Sequence, residues 1–304
     1  MPTDSPGVCL LAREDQLSQP DVAAAVEELR QAGIDLDVRA PSTSHAFKER
    51  IVKAIDKGAS RIVVGGGDGT LNAAVDVLMS TGAPKTVSLG LLPVGTGNDF
   101  AKSAGIDARD LRAALALACT GRSTRIDVGQ MNDSYFVNTA SIGFGAQVTA
   151  TTPDDLKKVL GAAAYSIMGL VRAFQAESRD GRLILPDGET VETRFLMMLV
   201  GNGRFAGGGF EVAPRANLTD GLLDIAVITD PSPESIRSLL DELNDPTHPQ
   251  NEHIHYRQVT GLRLETNEPL HVTLDGEPTS GSQFDFRCHP NAISVVLGDA
   301  PPAS

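Results

Sequence analysis

The chain has 304 residues, of which 41% are hydrophobic and 21% charged, a composition typical of a globular protein with about two domains. Its formal net charge of −13 argues against nucleic-acid binding, because an acidic surface without a basic stripe repels phosphate backbones. The three cysteines are far apart and form no CxxC pair, which argues against a disulfide framework or a zinc site and favours the reducing cytosol.

No segment has the pattern of a secretory signal or a membrane span. The first residues, Met1 to Asp4, have neither a basic region nor an apolar core. The most apolar stretch, Leu160 to Val171, is about 12 residues long, whereas a spanning helix needs roughly 20. We therefore expect a cytoplasmic protein without a transmembrane helix.

From the N-terminus to about residue 125, short β-branched runs alternate with helical patterns. The predicted strands are 8–11, 36–39, 61–64 and 87–94, and the predicted helices are 18–31, 44–57, 70–79 and 110–119. Ser44 is the predicted N-cap of the second helix. This alternation predicts a doubly wound, Rossmann-like α/β domain with a largely parallel sheet.

Beyond Ile126 the apolar residues fall in short strands separated by turn residues, which predicts a second, mainly β domain of the sandwich type. Its predicted strands are 134–140, 182–185, 193–200, 222–228, 261–266, 270–274 and 283–287, with helical inserts at 154–174 and 233–243. The apolar stripe of the first insert favours core packing, and the alternative is a cover for a lipid site or a membrane contact. We place the domains at 1–127 and 128–289, with 290–304 as a segment that could return to the first.

The sharpest motif lies where the strand 61–64 runs through Gly65, Gly66 and Gly67 directly into a helix. Glycines let backbone N–H groups approach anionic oxygens, and a helix N-terminus adds partial positive charge, so the motif indicates a polyphosphate site. Asp68 in this loop implies a bound cation or a structural hydrogen bond. The motif is not the usual P-loop, because GxxxxGK(S/T) is absent, and Thr70 departs from the dinucleotide fingerprint.

A second glycine turn follows the next predicted strand, in the stretch Pro93 to Asn98. Thr96 offers a hydroxyl there, and Asn98 offers an amide or a helix cap. Two such turns at the carboxyl ends of parallel strands bracket the crevice in which open α/β sheets bind ligands.

The stretches GGGDGT (65–70) and LPVGTGNDFA (92–101) resemble the catalytic domain shared by diacylglycerol, sphingosine and ceramide kinases. Four further stretches extend the resemblance to bacterial YegS-type lipid kinases: VNTASIGFGA (137–146), GNGRFAGGG (201–209), NLTDGLLDI (217–225) and LDGEPTSG (274–281). The resemblance implies an ATP-binding α/β domain, a β-sandwich domain and a cleft between them. It also implies Mg-dependent transfer of the γ-phosphate of ATP to a hydroxyl of a membrane lipid, such as phosphatidylglycerol or diacylglycerol, with Ca²⁺ as the alternative metal.

The resemblance also assigns binding residues. It places ATP on Gly66, Gly67, Asp68, Gly69, Thr70, Leu71, Asn72, Ala73 and Thr96. It places a separate cation on the carboxylate of Asp220 and the backbone carbonyls of Asn217 and Leu222, a donor set that suits a hard, hydrated ion. From the sequence alone, a turn capped by Asp220 is the favoured interpretation of that loop.

A carboxylate is the expected general base, because neither glycine loop contains a histidine. In extended backbone, residues two apart face the same way, so Asp275 and Glu277 are predicted to point together. The resemblance places the proton acceptor on Glu277, with Asp275 as the second choice. The alternative is an ordinary polar Asp-Gly turn in a hairpin. His253 and His255 are expected to be surface residues.

The chain departs from the family pattern near its first strands. Many relatives have Asn-Pro or Asn-Gly where this chain has Leu11 to Glu14, and an expected nucleotide-contacting threonine falls near Ala40-Pro41, where Ser42 or Thr43 could substitute. Two alternatives stay open. The GGDGT-type loop and the net charge of −13 also suit a kinase of a soluble substrate, similar to NAD kinases or phosphofructokinases. The altered first strand also suits a non-catalytic nucleotide- or lipid-binding protein. The expected partners are ATP and a membrane lipid, reached through peripheral contact.

Overall fold

The computed structural model describes residues 7–82, 87–143, 178–229 and 235–298. The chain divides into two compact units, one formed by residues 1–127 with 291–304 and the other by residues 128–290. Within the described residues, no helix is both long enough and apolar enough to cross a membrane. The predicted helical insert at 154–174 lies outside them.

The first unit is an α/β domain with a parallel sheet of order β2-β1-β3-β4-β15. Its strands are β1 (Val8–Leu11), β2 (Leu36–Arg39), β3 (Arg61–Gly66), β4 (Ser88–Pro93) and the end of β15 (Glu277–Val296). Its helices are α1 (Glu14–Leu17), α2 (Pro20–Gln31), α3 (Ser44–Asp56), α4 (Asp68–Ser80), α5 (Asp99–Ser103) and α6 (Leu111–Thr120). Strand β5 (Ser123–Met131) leads out of this unit.

Burial explains why the central strands read as continuous apolar runs. All six residues of β4 and five of the six in β3 are buried, as expected for parallel strands covered on both faces. Helix α4 packs with Leu71, Ala74, Val75 and Leu78 buried. The predicted α/β class of this region is confirmed.

Two helix starts differ from the predictions. The N-cap of α3 is Thr43 and not Ser44, because the Thr43 hydroxyl accepts a 3.1 Å hydrogen bond from the amide of Ala46. Helix α4 begins at Asp68, two residues before the predicted start, with Gly67 as its N-cap. The glycine loop therefore contributes the first turn of the helix itself.

The second unit is built from antiparallel strands around an apolar core. Besides the end of β5 and the part of β15 up to Pro290, its strands are β6 (Ser134–Phe136), β7 (Thr139–Gly143), β8 (Arg179–Ile184), β9 (Thr190–Gly201), β10 (Phe205–Ala206), β11 (Phe210–Glu211), β12 (Leu223–Thr229), β13 (Ile254–Val259) and β14 (Gly261–Leu274). Helix α7 (Ile236–Glu242) lies between β12 and β13. The core includes Phe136, Phe195, Phe284 and Phe286, each at most 2% exposed.

Strands β9 and β14 both pair with β7 and with β8, which closes the sheet on itself. The second half of β9 pairs with β7 and its first half with β8, while β14 pairs with β7 and β8 in the same divided manner. The ring β9-β7-β14-β8 therefore encloses the core. This arrangement agrees with the predicted sandwich class.

Several predicted strand boundaries are wrong. The two strands predicted at 261–266 and 270–274 form one strand, β14, whose pairing with β15 is irregular between Glu265 and Leu270. The strand predicted at 134–140 is two strands, β6 and β7, and 283–287 is the middle of the long β15. Strand β13, which carries the exposed His255, has no counterpart among the predictions.

Candidate active site

The two glycine loops of the first unit leave the sheet side by side. In the parallel pair β3 and β4, Gly66 lies opposite Pro93, so both strands end at the same level. A Cβ atom placed on Gly95 would lie only 2.3 Å from the Cα of Gly67. The backbones of the two loops are therefore in direct contact, and Gly95 leaves no room for a side chain.

The Asp68 carboxylate joins the two loops by hydrogen bonds. Its Oδ2 accepts from the amide of Asp99 at 3.0 Å, and its Oδ1 accepts from the amide of Phe100 at 2.8 Å. These amides belong to the first turn of α5, where acceptors from the helix itself are missing. Of the two explanations that the sequence left open for Asp68, the structure shows the structural hydrogen bond.

Asn98 shapes the second loop from within. Its backbone is left-handed, with φ of 53°, a conformation that asparagine tolerates better than most residues. Its side chain accepts a hydrogen bond from the amide of Gly95 and donates to the carbonyls of Gly95 and Pro93, at 3.2, 2.8 and 3.3 Å. Thr96, in this turn, is exposed.

The first loop has the features of an anion site. Gly69 is exposed in the first turn of α4, where helical amides point outward without helical acceptors. The Thr70 side chain covers Gly66, since a Cβ there would lie 2.3 Å from the Thr70 Oγ1. Asn72 is 9% exposed, and its buried Oδ1 has no hydrogen-bond partner within the described residues. A buried acceptor of this kind is usually completed by water, an ion or a ligand.

The altered residues near β1 and β2 have visible packing roles. Ala12 is buried, and a Cβ on Gly65 would lie 2.5 Å from the Ala12 Cβ, so the residue after β1 packs against the first glycine loop. Thr43 uses its hydroxyl as the N-cap of α3. The Thr43 hydroxyl is thus engaged in capping the helix. Ser42, the other residue suggested as a substitute for the missing threonine, does not cap it.

In the second unit, Asp275 and Gly276 form a two-residue hairpin turn. Leu274 pairs with Glu277, and both turn residues have positive φ, 47° for Asp275 and 91° for Gly276, as in a type I′ turn. The prediction that Asp275 and Glu277 lie in extended backbone with parallel side chains is wrong, because the chain reverses between them. Glu277 is the exposed first residue of β15.

The Asp275 carboxylate is directed at the backbone before β7. It accepts hydrogen bonds from the amides of Val137, Asn138 and Thr139 at 2.7, 2.9 and 2.9 Å. A carboxylate held by three amides is poorly placed to take a proton from a substrate. Glu277 is the better candidate for a general base because it is exposed.

The loop predicted to hold a cation folds as two side-chain-capped turns. The Oδ1 of Asn217 accepts from the amide and hydroxyl of Thr219, and the Oδ1 of Asp220 accepts from the amide of Leu222 at 3.0 Å. Asp220 is exposed, and it lies in the same short loop as the Asn217 and Leu222 carbonyls. This donor set fits a hydrated hard cation. Among the described residues, no group of three His, Cys, Asp or Glu side chains could hold a metal.

A buried carboxylate lies just beyond this loop and was missed by the sequence reasoning. Asp224 on β12 is 0% exposed, and burial raises its pKa to about 6. Hydrogen bonds from the Tyr256 hydroxyl at 2.5 Å and from Gln258 at 3.4 Å oppose that rise and tie β12 to β13. The sequence signal was an aspartate inside the apolar run LLDIAV.

Comparison with known proteins gives full-length matches. Residues 15–131 match the diacylglycerol kinase catalytic domain, and residues 138–297 match the YegS C-terminal NAD kinase β-sandwich-like domain. Relatives named "Probable lipid kinase YegS-like" include one from Chromohalobacter salexigens, 38% identical over 91% of this chain and 88% of its own length. Another, from Pseudomonas aeruginosa, is 39% identical over 98% of this chain and 97% of its own.

Solved structures share the fold. A diacylglycerol kinase from Bacillus anthracis str. Sterne matches with a TM-score of 0.74 and 22% identity, over 97% of this chain and 98% of the other. At that identity the match describes the architecture alone.

Replacing Gly95 by alanine is expected to weaken binding of Mg-ATP about 10-fold or more, because the new Cβ would overlap Gly67 and force the loops apart. Isothermal titration with a non-hydrolysable ATP analogue measures the affinity. Gly281→Ala is the control, because its Cβ would lie 3.2 Å from the Phe284 ring edge, which can shift. Unchanged affinity in Gly95→Ala would contradict the close packing of the loops.

Asp68→Ala is expected to impair nucleotide binding and to speed hydrogen exchange at the amides of Asp99 and Phe100, which lose their acceptor. Asp76→Ala, on the same helix α4, is the matched control. Exchange at both amides and ATP affinity are measured on the same preparations. Wild-type exchange together with wild-type ATP affinity would show that Asp68 does not join the loops.

Proposed function

Because this chain belongs to the YegS-like family of lipid kinases, we propose that it transfers the γ-phosphate of ATP to a hydroxyl of a membrane glycerolipid such as diacylglycerol or phosphatidylglycerol. The observation that carries the proposal is the pair of glycine loops in contact at the carboxyl edge of a parallel sheet. Such an edge is where open α/β domains bind nucleotides.

In this proposal the first unit binds ATP. ATP lies on the segment from Gly66 to Ala73, where amides of the first turn of α4 that lack helical acceptors contact the phosphates together with the Thr96 hydroxyl. The loop contact of Gly67 with Gly95 keeps those donors in register. Asp68 contributes by holding the second loop against the first. Positioning of this kind is the main protein contribution to phosphoryl transfer.

The second unit supplies the proton acceptor. We assign Glu277 as the general base that takes the proton from the lipid hydroxyl as its oxygen bonds to the γ-phosphorus and ADP leaves. The loop carbonyls of Asn217 and Leu222 and the Asp220 carboxylate would hold a divalent cation, Mg²⁺ or Ca²⁺. When bound, such a cation supplies positive charge in the surroundings of the anionic substrates.

We further propose that the protein works in the cytoplasm and reaches the lipid by peripheral contact. All three cysteines are free thiols, which suits a reducing compartment. Burial raises the pKa of Cys9 and Cys119 to about 11, so neither thiol is poised for redox chemistry.

A labelled-phosphate assay tests the function directly. Purified protein, Mg²⁺ and γ-labelled ATP are incubated in parallel with detergent micelles of diacylglycerol, micelles of phosphatidylglycerol, NAD and fructose 6-phosphate. We expect label in a lipid extract from at least one micelle type. Label in NAD or the sugar phosphate alone would indicate a soluble-substrate kinase, and ATP binding without any transfer would indicate a non-catalytic binder.

Glu277→Gln is expected to lower kcat at least about 100-fold while leaving ATP affinity within about twofold, because the amide keeps the shape of the side chain but takes up no proton. Glu268→Gln, an exposed glutamate on β14, is the matched control and should retain wild-type turnover. Loss of ATP binding in Glu277→Gln, or full activity, would remove Glu277 from the role of base.

A further inference from the structure

Three sequence stretches of the second unit meet in one polar cluster, buried except for the half-buried Asp275, which we call the 137–139 clamp. It consists of the segment Val137 to Thr139, the Asp275 carboxylate on one side and Asn202 on the other. Asn138, Thr139 and Asn202 are 2%, 6% and 1% exposed. Polar groups buried to this degree are retained where their hydrogen bonds fix a particular backbone arrangement.

The Asp275 side of the clamp uses three successive amides. Val137, Asn138 and Thr139 donate to the carboxylate, and the amide of Asp275 donates to the Thr139 carbonyl at 3.0 Å. Successive N–H groups directed at one anion form a strong, charge-assisted arrangement. The hairpin tip is therefore fastened to a different part of the sheet.

The Asn202 side holds the carbonyls of the same segment. The Asn202 side chain donates to the Val137 carbonyl at 2.8 Å, and the amides of Asn202 and Gly203 both donate to the Asn138 carbonyl at 2.8 Å. Backbone amides and backbone carbonyls of this short segment are thus both hydrogen-bonded. Small movements of the segment would break several bonds together.

The clamp fixes the backbone from which Glu277 projects. Leu274, the residue before the turn, pairs with Glu277 on one side and with Ala140 of β7 on the other. A turn residue in the left-handed region, bonded to three amides, leaves the hairpin tip little freedom. Glu277 itself stays exposed, so the clamp restrains its backbone without covering its carboxylate.

We infer that Asp275 is a positioning residue that holds Glu277 in place through the 137–139 clamp, and that it does not itself accept the substrate proton. The inference rests on the proposed function, because it gives Asp275 a part in the same reaction. It assigns different roles to Asp275 and Glu277, the two carboxylates that the sequence left as alternative general bases.

The test is Asp275→Asn, which keeps the size of the side chain. It replaces one hydrogen-bond-accepting oxygen by an NH₂ group, which cannot accept hydrogen bonds from the backbone amides of residues 137–139. We expect kcat to fall about 10- to 100-fold, since a displacement of about 1 Å has that effect, with the KM for ATP within about twofold. The pH dependence of kcat should keep its wild-type shape, because Glu277 still accepts the proton. Activity is measured with diacylglycerol and phosphatidylglycerol micelles.

Hydrogen exchange at the amides of Val137, Asn138 and Thr139 gives a second readout that needs no activity. Loss of a charged acceptor should speed their exchange about 10- to 100-fold in Asp275→Asn. Asp187→Asn is the matched control, because Asp187 also lies in a hairpin turn but, within the described part of the chain, accepts a hydrogen bond from the amide of Glu189 alone. It should change neither kcat nor exchange at 137–139.

Three outcomes would overturn the inference: wild-type kcat in Asp275→Asn, loss of the acidic limb of its pH profile, or unchanged exchange at 137–139. If Asp275→Asn does not fold, hydrogen exchange in the wild-type protein tests the clamp instead. After correction for intrinsic rates, the amides of residues 137–139 must exchange more slowly than the amide of Glu189. Absence of lipid phosphorylation by the wild type would refute the kinase proposal, while the exchange result would still decide whether the clamp exists.

Discussion

The first unit of this protein depends on a contact between two peptide backbones. Gly67 and Gly95 approach so closely that only hydrogen fits as a side chain at Gly95. The contact is possible because β3 and β4 end at the same level, and the Asp68 carboxylate keeps it by bonding to the start of α5. Two turns that are separate in the sequence therefore behave as one surface of backbone donors.

Carboxylates in this chain serve repeatedly as backbone anchors. Asp68 bonds to two amides, Asp275 to three, and Glu242 to the amides of Glu252, His253 and Ile254. Each carboxylate accepts hydrogen bonds from backbone amides that have no acceptor in a regular helix or sheet. Buried backbone groups need such partners. These three carboxylates of a strongly acidic chain thus stabilise backbone conformation.

Much of the architecture could be predicted because it depends on local patterns. Apolar runs in β3 and β4 and glycines at their ends identified the parallel sheet and its loops. The partners of the key carboxylates could not be predicted, because they are distant in the sequence: those of Asp68 lie 31 and 32 residues away, and those of Asp275 more than 130 away. The periodicity argument for Asp275 and Glu277 failed because it assumed extended backbone where an Asp-Gly turn reverses the chain.

The order of the strands also bears on how the chain matures in the cell. The final residues of β15, Ser294 and Val295, pair with β4, whereas the other strands of that sheet are made within the first hundred residues. During synthesis the parallel sheet of the first unit therefore waits for its last strand until the whole second unit has been made. The unit that begins first is completed last, so an unfinished chain carries an uncovered sheet edge that chaperones would have reason to protect.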